Sequence, residues 1–178
     1  MRPGRTSLHE LDVIDSHISS IDNRLMDTGL KTKLLARINR KDWWHVPPSD
    51  PKAYQKRGMF LASTFREAEF WGRPLDSPIR VSVQNPIIGD EALIEAELLG
   101  ERSEFPGHDS PKLLEWRWKL DAKLKKAAEK KGYDAIVLLS PGGYAKFIAE
   151  GKIPLSIELN LLAGSESVVA QSISGRVC

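Results

Sequence analysis

The stretch that decides the fold is residues 57–72, RGMFLASTFREAEFWG. Gly58 is a typical turn residue, and the apolar run that follows it at residues 59–62 predicts a short strand. Thr64 and Glu67 have the spacing of a capping box, which predicts a short helix after the strand. A strand, a corner and a helix in this order can bring one aromatic side chain from the strand and one from the end of the helix into a single cleft.

The composition describes one globular domain. The 178 residues are 41% hydrophobic and 28% charged, and the net charge of +2 is too small to indicate a nucleic-acid partner. The single cysteine, Cys178, allows no disulfide within the chain. The first residues lack the apolar segment of a signal peptide, and no apolar run approaches the ~18 residues of a membrane span. We therefore expect no membrane partner.

Two helices are predicted before the first strand. After a capping box at Ser7 and Glu10, apolar residues recur at helical spacing and predict an amphipathic helix that ends near Gly29. A second, shorter helix is indicated by Leu30, Leu34, Leu35 and Ile38. Residues 1–41 are expected to form a helical extension, either a lid or brace on the domain or simply two packing helices.

The remaining elements alternate without a regular βαβ repeat. Strands are predicted at residues 42–46, 79–83, 133–139 and 155–161, and the strand at residues 79–83 stops before Pro86. Helices are predicted at residues 90–99 and 110–131, with a turn at 140–143 and a helical turn at 144–150. This order predicts an α+β domain at residues 42–162, followed by a tail or edge strand at residues 163–178.

Several common sites are excluded by the sequence. It contains no glycine-rich phosphate loop, and no Ser-His-Asp set can be defended from the order of the residues. The lysine-rich residues 123–131 contain an acid and no interleaved aromatics, which is more typical of a solvated helix face than of a nucleic-acid surface. The histidines lack the spacing of zinc ligands: His9, His17, His45 and His108.

The order of several short motifs resembles the ADP-ribosyltransferase family of the diphtheria-toxin and poly(ADP-ribose) polymerase type. His45 ends a strand, the motif GMFLAS follows at residues 58–63, and Trp71 stands eleven residues after Phe60. The later motifs are VQNPI at 83–87, GYDAIV at 132–137 and IEL at 157–159. The resemblance covers roughly residues 42–162. It implies an ADP-ribosyltransferase-like fold of split antiparallel sheets with an N-terminal helical cap.

The resemblance also implies a site for NAD as co-substrate. His45 is expected to hydrogen-bond a ribose hydroxyl, and Phe60 and Trp71 are expected to sandwich the nicotinamide ring. Ser63, at the end of the GMFLAS motif, joins the NAD-binding set. Glu158 is the expected catalytic carboxylate, with His45 as its partner. It bonds the nicotinamide ribose and stabilises the positive charge that develops as the glycosidic bond breaks. No metal is implied.

The implied function is mono-ADP-ribosylation of a macromolecular target by a bacterial effector, toxin or phage protein. The target is an unidentified host or bacterial protein, and a nucleic-acid target stays open. Such a protein is expected in the cytoplasm, or secreted into a host cell without a classical signal peptide.

Two alternatives to a transferase remain. Phe60 stands where the family commonly has tyrosine, and Val46-Pro47-Pro48 stand where a glycine and a small hydroxyl residue often follow the histidine. These departures are compatible with a divergent transferase, or with a catalytically inactive relative that works as a binding module. The third possibility is an unrelated α+β domain in which His45, Trp71 and Glu158 are structural or surface residues.

Overall fold

The computed structural model describes residues 28–162, which form six helices and five strands. The helices are α1 (Thr28–Arg40), α2 (Lys52–Arg57), α3 (Phe65–Glu69), α4 (Glu91–Leu99), α5 (Leu113–Lys130) and α6 (Pro141–Glu150). The strands are β1 (Trp44–His45), β2 (Met59–Ala62), β3 (Pro86–Gly89), β4 (Ala135–Leu138) and β5 (Glu158–Leu161). The helix predicted to start at Ser7 and the tail predicted at residues 163–178 lie outside the described residues.

The five strands form one mixed sheet in the order β1-β2-β5-β4-β3. Strand β5 is antiparallel to both of its neighbours, with Leu159 opposite Leu61 of β2 and Val137 of β4. Only β3 and β4 are parallel. This pairing is possible because the chain between these two strands runs through α4 and α5, which provide the long crossover that parallel strands need. The α+β prediction is confirmed.

The described strands do not form the split antiparallel sheets expected from the resemblance. Since β5 pairs along its whole length with β2 on one side and β4 on the other, it joins what would be two sheets into one. The sequence could not predict this because the alternation of apolar and polar residues assigns the faces of a strand, but not its neighbours.

A hydrophobic cluster lies on each face of the sheet. On one face, Leu34 and Ile38 of α1 and Phe147 of α6 pack with Leu61 and Leu159. On the other face, α5 and α4 pack on the strands through Leu120, Leu124, Ala128 and Ile94. The second predicted N-terminal helix is therefore confirmed as α1, and it shares the core of the strands.

The segment predicted as a strand at residues 79–83 is extended but makes only one bridge, between Ile79 and Trp43. Its apolar residues are buried in alternation as expected. The side chain of Asn39 takes the place of a neighbouring strand: its amide donates to the Val83 carbonyl at 2.8 Å, and its oxygen accepts from the Val83 N–H at 2.8 Å. The hydrogen-bonding groups of the Val83 backbone are therefore paired with a side chain of α1 and not with a neighbouring strand. The prediction of a strand at residues 79–83 was wrong.

Pro86 begins β3 instead of ending a strand. A proline is tolerated as the first residue of a strand because its missing N–H need not join the ladder. The two residues before it are held by Asp134, whose carboxylate accepts from the N–H of Gln84 at 2.6 Å and of Asn85 at 3.0 Å. The prediction that a strand ends before Pro86 was therefore wrong, because the strand in this region begins at Pro86.

Two later predictions also differ from the structure. The expected turn at residues 140–143 is the first turn of α6, because the Ser140 hydroxyl accepts from the Gly143 N–H at 3.1 Å and caps the helix. The last strand begins only at Glu158, so Leu155 is exposed and lies outside it. Within this strand Asn160 is buried, and its side-chain amide donates to the Arg57 carbonyl at 2.9 Å.

Candidate functional site

The corner between β2 and α3 has the predicted geometry. The Thr64 hydroxyl accepts from the Glu67 N–H at 3.2 Å and caps α3. Burial raises the pKa of Glu67, but hydrogen bonds with Ser156, Ser63 and Thr64 outweigh it and hold the pKa below its usual value. This capping box fixes the direction of α3 relative to β2, and therefore the position of Trp71 beyond the helix.

A cavity of about 1110 Å³ brings together four of the predicted site residues. His45, Phe60, Trp71 and Glu158 all line it, although they come from three strands and the segment after α3. The volume lies slightly above the range of ~300–1,000 Å³ that is typical of small-molecule sites. The four residues therefore border one cavity, while their roles remain predictions.

The register of the strands places His45 and Glu158 on either side of β2. His45 lies opposite Leu61, and Glu158 lies opposite Ala62. The pleat alone would assign these two side chains to opposite faces, because neighbouring residues of a strand alternate. Both line the same cavity. The lining of this cavity therefore includes residues that the pleat assigns to both faces of the sheet.

The His45 ring is buried, and both of its nitrogens are bonded within the protein. Nδ1 lies 2.8 Å from the Phe60 carbonyl oxygen, and Nε2 lies 2.8 Å from the Tyr54 hydroxyl. Because a carbonyl only accepts, Nδ1 carries the proton and Nε2 accepts from Tyr54. Burial lowers the pKa of His45, partly offset by the bond to Phe60, so the ring is held neutral. His45 therefore orients Tyr54, and its direct bond to a ribose would require this contact to open.

The two aromatic residues differ in exposure. Phe60 is half-buried on β2, whereas Trp71 is 70% exposed at the rim of the cavity. Phe70, next to Trp71 and also exposed, contacts the indole edge-to-face with the ring centroids 5.1 Å apart. Trp71 is therefore not a core residue, and its ring is open to a ligand.

Ser63 lies outside the set of cavity-lining residues. Its buried hydroxyl lies at donor distance from two acceptors, the Glu67 carboxylate at 2.7 Å and the Leu155 carbonyl at 3.0 Å. The same hydroxyl accepts a hydrogen bond from the Ile157 N–H at 3.1 Å. These bonds tie the start of α3 to the segment before β5. The structure thus gives the predicted NAD-binding serine a bracing position, in which it indirectly positions Glu158.

An ionic cluster surrounds Glu158 on the side of α5. Arg117 bonds Glu91, and its Nε lies 2.9 Å from Asp121. Burial raises the pKa of Glu158; the charge of Arg117 opposes this rise, and Asp121 and Glu91 add to it. Burial also raises the pKa of Asp121 to about 6, against the charges of Arg117 and Arg57. The site therefore holds two carboxyl groups with raised pKa beside one shared guanidinium.

The sequence interpretation missed five residues that line this cavity: Tyr54, Arg57, Arg117, Trp118 and Asp121. One signal was available for Asp121. It occupies the same helical stripe as the buried Leu124 and Ala128, and a charged residue on an apolar stripe indicates a paired or functional group. The others carry no local signal, because only the packing of α2 and α5 around β2 brings them to the cavity.

A smaller cavity of about 530 Å³ adjoins the first. Arg117, Ser156 and Glu158 line both. The rest of the smaller cavity includes Glu95, whose carboxylate accepts from the Ser103 N–H at 2.6 Å, and the start of α6. Glu158 is therefore accessible from two cavities.

Comparisons of the chain with protein-family models, with curated proteins and with solved structures give no match. Among residues 28–162, no helix is both long enough and apolar enough to cross a membrane. The same residues contain no group of three or more His, Cys, Asp or Glu that could hold a metal ion.

Proposed function

We propose that this chain is an NAD-dependent mono-ADP-ribosyltransferase that modifies a macromolecular target, with an ADP-ribosyltransferase-like fold built on a joined sheet. One observation carries the proposal: His45, Phe60, Trp71 and Glu158, expected at one site from the family resemblance, line a single cavity. The volume of the cavity, about 1110 Å³, suits a dinucleotide.

The aromatic residues hold the nicotinamide in this proposal. Phe60 offers a half-buried ring on β2, and Trp71 offers an exposed ring at the rim, so a planar ligand between them covers apolar surface on both sides. Phe60 lacks the hydroxyl of the family's usual tyrosine. The Tyr54 hydroxyl, which donates a hydrogen bond to His45, lies in the same cavity.

Glu158 supplies the electrostatic stabilisation. Breaking the bond between ribose C1′ and nicotinamide leaves positive charge on the ribose, and an ionised carboxylate in a semi-enclosed cavity stabilises that charge. Arg117 favours the ionised form of Glu158 against the effect of burial. The bonds of Ser63 to the segment before β5 fix the strand that carries this carboxylate.

A second candidate function is an inactive relative that binds NAD without transferring it. It is favoured by the hydrogen bonds of His45, whose two nitrogens are both occupied by Phe60 and Tyr54. In this case the cavity would bind a nucleotide, and Glu158 would contribute little to turnover.

The test compares wild type with Glu158→Gln at saturating NAD. Nicotinamide release is measured directly, and ADP-ribosylation of a lysate is measured with labelled NAD followed by mass spectrometry. The amide has the shape of the carboxylate but no charge, so we expect turnover to fall by about a hundredfold or more with little change in NAD affinity. Glu69→Gln, at an exposed residue of α3 outside the cavity, is the matched control and should retain full activity.

Each outcome has a distinct meaning. An active wild type matched by Glu158→Gln would remove Glu158 from the reaction. Saturable NAD binding without nicotinamide release, in the presence of lysates, would support the binding module. A wild type that binds no NAD would refute both candidates.

A further inference from the structure

The guanidinium of Arg57 lines the cavity of about 1110 Å³. Arg57 is the last residue of α2, and its guanidinium carbon lies 4.9 Å from the centre of the Trp118 ring of α5. Both residues line the cavity. A guanidinium held over the face of an indole by a cation–π contact uses none of its N–H groups in that contact, so they can bond a ligand.

A second, half-buried cation of the cavity is already neutralised. Arg117 bonds both Glu91 and Asp121, and their charges raise its pKa against the effect of burial. Between residues 28 and 162, no group accepts a hydrogen bond from the Arg57 guanidinium. Asp121 feels its charge, since Arg57 lowers the pKa of that carboxyl against the stronger effect of burial. Arg57 is therefore a guanidinium of this cavity that is held over an aromatic ring and has donors available for a ligand.

The backbone of Arg57 fixes its place independently of its side chain. Its carbonyl accepts from the Asn160 side-chain amide at 2.9 Å, which ties the end of α2 to β5, the strand of Glu158. The side chain therefore starts from a rigid point between α2, β5 and α5. A guanidinium has the planar donor geometry that matches phosphate oxygens.

We propose that Arg57, held on Trp118, forms an anion subsite for the diphosphate of a nucleotide ligand in this cavity. The identification of this ligand as NAD rests on the proposed function. The subsite itself predicts that any nucleotide diphosphate that fits the cavity will bind. The nicotinamide end would then lie toward Trp71 and Phe60, and the diphosphate toward α2 and α5.

The experiment measures dissociation constants by calorimetry for NAD, ADP-ribose, and nicotinamide riboside, which lacks phosphate. Arg57→Ala should weaken the binding of NAD and ADP-ribose roughly tenfold to a hundredfold, which is the scale of losing a charge-assisted, bidentate contact. The affinity for nicotinamide riboside should not change. Arg57→Lys keeps the charge but loses the planar donors, so an intermediate loss is expected. Lys56→Ala, at the exposed preceding residue of α2, is the matched control and should bind all ligands as wild type does.

The results separate this subsite from the proposed function. If Arg57→Ala binds ADP-ribose as tightly as wild type does, the subsite is refuted even where NAD is a substrate. Loss of nicotinamide riboside binding to the same extent would also refute it, because the effect would not depend on phosphate. If wild type binds ADP-ribose through Arg57 but neither binds nor cleaves NAD, the subsite stands and the transferase does not. Wild type that binds neither NAD nor ADP-ribose would overturn both. Thermal unfolding checks that each variant is folded, and the Arg57 carbonyl bond to Asn160 is kept in all of them.

Discussion

Replacing Trp71 with alanine separates a ligand platform from a packing residue. The indole is 70% exposed, so its truncation removes little buried surface and should lower the free energy of unfolding by less than about 1 kcal/mol. A packing residue would behave in the opposite way. The core tryptophan of this chain, Trp43, is fully buried and donates its indole N–H to the Ile38 carbonyl at 3.0 Å.

The effect of Trp71→Ala on NAD binding follows from the area that the nicotinamide would cover. A ring stacked on one face of the indole removes roughly 100 Å² of apolar surface from water, which is worth about 2.5 kcal/mol at ~25 cal/mol per Å². The stacked geometry adds about 0.5–1.5 kcal/mol, and ordering an exposed side chain costs about the same amount. We therefore expect a loss of about 1–3 kcal/mol, or roughly a 5-fold to 150-fold increase in Kd.

The assay is calorimetric titration of NAD into wild type, Trp71→Ala and Trp71→Phe. The phenylalanine variant keeps an aromatic face and should lose less than about fivefold in affinity. Leu155→Ala is the control, because Leu155 is 81% exposed and lies outside the cavity lining. Equal affinity of the three Trp71 proteins for NAD would refute the stacking role. A large drop in thermal stability of Trp71→Ala would show that the exposed placement of the ring is wrong.

Two further predictions concern the walls of the cavity. Gly58→Ala should lower the free energy of unfolding by more than about 2 kcal/mol, because Gly58 has φ +85° and a Cβ there would meet Asn160 and lie 2.7 Å from the Leu161 carbonyl oxygen. Gly100→Ala, at φ +79° with no atom within 4 Å of the added Cβ, isolates the backbone strain and should cost only about 1–2 kcal/mol; equal losses in denaturant titrations would contradict the close approach. Asp121 has a folded pKa of about 6, above its usual value of 3.8, so it binds its proton more tightly in the folded state, and its contribution to stability is present below pH 4 and lost as the pH rises through 6. The difference in stability between wild type and Asp121→Asn should therefore shift against wild type by up to about 3 kcal/mol between pH 4 and 7 in denaturant titrations, and a pH-independent difference would show that the pKa of this carboxyl is not raised.

The local helices and strands could be predicted from the sequence. Thr64 and Glu67 fixed the start of α3, and the apolar run of residues 135–138 fixed a central strand. The helical spacing of Leu34 and Ile38 fixed the buried side of α1. These predictions succeeded because capping and periodicity depend on residues within one or two turns of each other. The family resemblance added which side chains should share a cleft.

Features that depend on residues far apart in the sequence became visible only in the folded structure. The sheet order, the bridge between Asn39 and Val83 and the start of β3 at Pro86 all depend on partners distant in sequence. The same is true of the site: Tyr54 bonds His45, and Arg117 interacts with the three carboxylates of Asp121, Glu91 and Glu158. Burial and the electric field of a charge act through space, so the pKa of Glu158 and the open cation at Arg57 exist only after α2 and α5 have packed against β2 and β5.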